Sequence, residues 1–166
     1  DDIYSICFIG NIYCQKKLFD FALREYKRIL SLDSDNPYAF CNIGIVYSSK
    51  NMIEKAIENF KKAISINKFY KEAHYNLGIL YKNLNENLSA IECFESVIMI
   101  DPEDITSYLN ISKICQKQNE FYTAIDYCHK ALEISPECSG IFGCIADCFF
   151  QMDKFDTAID YYKRVD

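Results

Sequence analysis

Tryptophan is absent from this 166-residue chain, and glycine and proline number only 5 and 3. Sandwiches and barrels turn often and use more of both, so the scarcity excludes an all-β architecture and predicts helices. Long apolar runs are also missing. The most apolar stretch, Ile141 to Met152, is interrupted by Asp147 and is too short to span a bilayer. These residues hold no stretch that reads as a secretory leader, and none is expected. Basic residues are in deficit, 18 against 24 acidic ones, for a net charge of −6. Lys16-Lys17, Lys27-Arg28 and Lys61-Lys62 are isolated pairs, whereas a nucleic-acid backbone requires clustered cations. Nine cysteines, an odd number with no C-x-x-C among them, predict free thiols in a reducing compartment, cytoplasmic or nucleocytoplasmic. The chain opens on Asp1-Asp2 and stops at Asp166, and we read it as part of a longer protein.

Periodicity is what the chain does have. Ala22, Ala56, Ala90, Ala124 and Ala158 succeed one another at steps of 34 residues. The same step links Ile9, Ile43, Leu77, Ile111 and Ile145, and it links Tyr26, Phe60, Phe94, Cys128 and Tyr162. Five units follow, at 3–36, 37–70, 71–104, 105–138 and 139–166, the last one truncated; residues 1–2 precede them. Each unit carries two amphipathic stripes. In the third, Ala73, Leu77, Leu80, Tyr81 and Leu84 are followed by Leu88, Ile91, Phe94, Val97 and Ile98. Between the stripes stand Lys17, Asn51, Asn85, Asn119 and Asp153, mostly residues that tolerate a left-handed backbone at a helix end. Pro102 and Pro136 stop second helices. Gly10, Gly44, Gly78, Ser112 and Ala146 share one site, where lost bulk lets paired helices approach.

The pair Leu77-Gly78, the aromatic Tyr81, the small Ala90, the aromatic Phe94, the Val97 or Ala131 site and the closing Pro102 or Pro136 resemble the tetratricopeptide repeat. Ser34 and Lys68 depart from it where a closing proline would stand, and Cys115 and Cys128 replace two aromatics. The resemblance implies an all-α, right-handed superhelical solenoid of antiparallel helix pairs, with first helices lining a concave groove. It implies a non-enzymatic scaffold that binds a protein or peptide partner. Two other roles stay open: the substrate-recognition arm of a larger enzyme, such as an O-linked N-acetylglucosamine transferase, or an architectural segment of a large assembly. A groove that grips chaperone tails ending in Glu-Glu-Val-Asp needs cations where this chain has Cys7 and Glu72, so no such binding is expected.

Catalytic chemistry finds little support. There is no glycine-rich phosphate loop and no zinc-protease motif. His74 falls where Ile6, Phe40, Tyr108 and Phe142 stand in other units, and it reads as a packed side chain. His129 lies four residues before Glu133 and reads as half of a surface pair. Cys144 and Cys148 share one helix face near Cys138, but a structural zinc needs four ligands, so neither metal nor cofactor is expected. Cys7, Cys14 and Cys41 are expected on the groove face as the accessible thiols.

The candidate peptide-binding groove comprises Asn11, Asn42, Tyr75, Asn76, Ile79, Lys82, Asn110, Lys113 and Lys117. Asn42, Asn76 and Asn110 occupy one repeat site, and a row of amides can pair with an extended peptide backbone. A common soluble filler residue would produce the same row. Lys113 and Lys117 predict an acidic group or C-terminal carboxylate on the ligand. Ile159, Tyr162 and Val165 have no following helix, which predicts self-association through that end.

Overall fold

The computed structural model describes residues 2–165, and among these it holds ten α-helices and no strand. They are α1 (Ile3–Gln15), α2 (Phe19–Leu32), α3 (Pro37–Ser49), α4 (Ile53–Ile66), α5 (Lys71–Asn83), α6 (Asn87–Ile100), α7 (Ile105–Lys117), α8 (Phe121–Ile134), α9 (Ser139–Gln151) and α10 (Phe155–Tyr162). Helices of 13 residues alternate with helices of 14, until α10 ends after 8. None of the described helices is long and apolar enough to cross a membrane.

Every first helix turns into its second in the same way. Lys17, Asn51, Asn85, Asn119 and Asp153 all take φ near +60°, at 58°, 58°, 59°, 61° and 58°. Around Asn51, the Met52 N–H donates to the Tyr47 carbonyl at 2.8 Å and the Asn51 N–H to the Ser48 carbonyl at 2.9 Å. This is the Schellman arrangement, which satisfies carbonyls that a helix end would leave orphaned. The equivalent pairs, such as Glu120 to Cys115 at 2.9 Å and Asn119 to Gln116 at 3.1 Å, recur in every unit. At the other junction, Asn36 caps α3 by accepting from the Ala39 N–H at 3.0 Å, and Asp104 caps α7 by accepting from Ser107 at 2.9 Å. Pro37 is the first residue of α3, where its missing N–H costs nothing, so it opens that helix rather than closing α2.

The chain forms two compact units, Asp1–Leu80 and Tyr81–Asp166, divided within α5. In the first, α2 packs on α1 and α3, and α4 on α3. Its core gathers Ile6, Ala22, Tyr26, Ile29, Ala39, Ile43 and Val46. A Cβ on Gly10 would meet the Tyr26 ring at 2.6 Å, and one on Gly44 the Phe60 ring at 2.8 Å. Glycine is therefore required where a buried aromatic ring lies across the helix pair. In the second unit, α7 packs on α6, α8 and α9, and α9 on α8 and α10. Here Ser112 replaces the glycine, and it faces Cys128 rather than an aromatic ring, at 3.1 Å. The two departures from the repeat compensate each other in volume. In the last helix pair Ala146 takes the glycine site and Tyr162 is 42% exposed, its hydroxyl donating to Asp147 Oδ1 at 2.6 Å.

Candidate protein-interaction site

In the first unit, the exposed Asn11 is already engaged. Its Oδ1 accepts from the Tyr26 hydroxyl at 2.8 Å and the Tyr38 hydroxyl at 3.0 Å. Beside it, Ile3, Tyr4, Cys7, Asn36 and Tyr38 line an open groove of about 560 Å3. Tyr4 and Phe8 stand 83% and 68% exposed on α1. Asn42 donates from Nδ2 to the Tyr38 carbonyl at 2.9 Å, and Asn76 donates to the Glu72 carbonyl at 2.7 Å. Both amides thus return their N–H to the helix turn that precedes them. Tyr75 and Ile79 are half-buried on α5. His74 is half-buried too, and its Nε2 lies 3.0 Å from the Lys68 carbonyl.

Cys41 departs from expectation. It is buried, not groove-facing, because Glu72 and Asn76 of α5 crowd it. Burial pushes its thiol up to about 12, helped by the Glu72 charge and opposed by a hydrogen bond with Asn76. Cys7 is half-buried, and its thiol is also raised, chiefly by desolvation. The surface pair expected of His129 and Glu133 does not form, although both side chains are exposed.

In the second unit, four of the candidate residues converge. Lys82 Nζ donates to Asn110 Oδ1 at 2.6 Å, and Asn110 Nδ2 donates to the Thr106 carbonyl at 2.9 Å. Asn110 is 9% exposed. Lys113 and Lys117, one turn apart on α7, are exposed and join Lys82, Asn87 and Ile114 around a pocket of about 90 Å3. Burial lowers the Lys82 ammonium from its ordinary range, and the charges of Lys113 and Lys117 lower it further. None of the three lysines makes an ion pair among the described residues.

Two features of this unit escaped the sequence. The half-buried Cys144 thiol is held below its ordinary range by its hydrogen bond with Cys128 and by the charge of Lys113, against burial and Asp147. The same hydrogen bond, with burial, raises Cys128. A wider groove of about 720 Å3, of which Asn110 is not a lining residue, is built from α6, α7 and α8, with Met99, Tyr108 and Tyr127 in its wall. Tyr127 donates to Glu95 Oε1 at 3.0 Å, and burial and Glu95 push its hydroxyl up to about 12. Among the described residues no three His, Cys, Asp or Glu side chains converge as a metal site requires.

No curated protein sequence matches the chain. Among solved structures it is similar to MamA, with TM-score 0.83 at 25% identity, covering 95% of this chain and 92% of that one. MamA of Desulfovibrio magneticus RS-1 gives 0.84 at 18% identity, over 99% and 93% of the two chains. PilF of Pseudomonas aeruginosa gives 0.85 at 16%, over 98% and 74%. The last two likenesses bear on fold alone, an all-α helical-repeat solenoid. Family profiles described as tetratricopeptide repeat match residues 37–70, 71–104 and 105–138, and one described as TPR repeat matches 10–51. These stretches run without a break through most of the sequence, and the chain belongs to the tetratricopeptide repeat family of protein-interaction scaffolds.

Proposed function

We propose that the chain is a non-enzymatic scaffold that holds a linear peptide or helix of a partner protein against its first helices. One observation carries the reading. Asn42, Asn76 and Asn110 take the same side-chain pose, each Nδ2 tied to the carbonyl four residues earlier. An amide oriented by its own helix loses little freedom when a partner docks. The carbonyl oxygen is the group that remains for the partner at Asn42 and Asn76, so these two favour peptide N–H donors. At Asn110 that oxygen instead presents Lys82, which turns the site from an acceptor into a cation.

Selection from a random-peptide display library tests this. A peptide retained by the chain should lose about thirtyfold in affinity on Asn42→Ala with Asn76→Ala, since each of the two backbone hydrogen bonds contributes about 1 kcal/mol. It should be unaffected by Lys130→Ala with Glu133→Ala in the wider groove. The opposite pattern would move the interaction to that second groove and favour the architectural reading.

A further inference from the structure

Lys82, Lys113 and Lys117 surround one small pocket, and among the described residues no carboxylate lines it. Unneutralised ammonium groups repel one another, and an anion seated among them would relieve that repulsion. The lysine at the centre is aimed rather than free, because Asn110 holds it and Thr106 holds Asn110. Asn87, the first residue of α6, forms part of the wall, and α6 has no side-chain cap for its first-turn N–H groups. Its capping residue, Glu86, is exposed and does not line the pocket. The lining thus carries three ammonium groups and one amide, with no anionic side chain beside them among the described residues.

We propose that this pocket seats the phosphate of a phosphorylated serine or threonine on the partner peptide, an inference that rests on the peptide-holding reading above. A carboxylate brings one negative charge and leaves two lysines uncompensated. A phosphomonoester brings about −1.5 to −2 at neutral pH and three acceptor oxygens, one for each ammonium. The pocket, about 90 Å3, is smaller than the ~150 Å3 cavity that admits a benzene ring, so it fits an anion better than an aromatic side chain. A nucleic acid is a poorer match. Its repeated phosphates would meet the acidic surplus of a chain with net charge −6, whereas one phosphate meets only the pocket.

Fluorescence anisotropy with three labelled degenerate peptide pools, centred on phosphoserine, serine or glutamate, tests the assignment on the whole chain. The phosphoserine pool should bind at least about tenfold tighter than either other pool, the preference expected of charge-assisted hydrogen bonds. Lys113→Gln with Lys117→Gln should abolish that preference; both side chains are exposed, so the fold is retained. Equal binding of phosphoserine and serine pools overturns the proposal, as does no binding of either. Equal binding of the glutamate pool makes the pocket a carboxylate seat and also overturns it. So does a phosphoserine preference that survives the lysine changes, or inorganic phosphate binding as tightly as the peptide. Asn42→Ala with Asn76→Ala separates the two readings. If it weakens all pools equally while phosphoserine gives no advantage, the peptide reading stands without the phosphate seat. If it changes nothing while the preference persists, the seat stands without the asparagine row.

Discussion

At the scale of single residues, the left-handed turn positions are the clearest case of legibility. A helix that must reverse within three residues needs one with positive φ, and asparagine or aspartate at four of five such sites announces it. Lys17 is the costly exception, at φ 58°. Lys17→Gly should raise stability by about 0.5–1 kcal/mol, since relief of about 1–2 kcal/mol of strain outweighs the added flexibility of the unfolded chain. Urea unfolding checks this, and an unchanged or lowered midpoint would contradict it. Thiol reactivity was less legible, because it depends on what covers each sulfur. The repeat position of Cys41 is groove-facing on paper, yet α5 residues close over it. Cys144 gains its acidity from Cys128 and Lys113, residues distant in sequence. Thiolate is the reactive form, and its fraction grows with pH. Iodoacetamide labelling followed by mass spectrometry should therefore find Cys144 labelled faster than Cys41 at neutral pH, with Cys41 inert there. Equal labelling of the two would refute this.

At the scale of helix pairs, close approach follows from matched volumes. Gly44 admits the Phe60 ring, and Ser112 meets the smaller Cys128. Gly44→Ala should destabilise the first unit by about 1–2 kcal/mol, the overpacking cost exceeding the helix-propensity gain of about 1 kcal/mol. Adding Phe60→Cys to Gly44→Ser reproduces the pair found in the second unit. The double variant should lose less than the sum of its singles, by about 1 kcal/mol or more in a double-mutant cycle. Strict additivity would mean the two positions are not matched. The glycine site was visible in the sequence because it recurs at a fixed period. The poses of Asn42, Asn76 and Asn110 were not, because a period places a side chain without turning it. The same limit hid the wider groove, which needs α6, α7 and α8 together.

At the scale of the whole molecule, α10 adds an apolar face to the surface. Phe155 and Ile159 are each 50% exposed on α10, and Val165 is 36% exposed beyond it. Repeats bury such faces by stacking on a neighbour. We expect concentration-dependent self-association through this face, abolished by Ile159→Lys and read by sedimentation equilibrium. A monomer at every concentration would count against it. The fold class and family were legible along nearly the full length because five copies restate the same packing rules. The lysine pocket was legible as three positions and invisible as a site, since only the Asn110 contact shows that Lys82 points where it does.

The pairing of a residue on one helix with its counterpart on the next also limits how such a chain can be recombined. A first helix bearing glycine and a second helix bearing Phe60 or Tyr26 are keyed to each other, whereas Ser112 and Cys128 follow another key. Transplanting α7 alone in place of α3 would drive a hydroxymethyl group into an aromatic ring. Transplanting α7 with α8 would carry lock and key together, so the hairpin, not the helix, is the smallest exchangeable part.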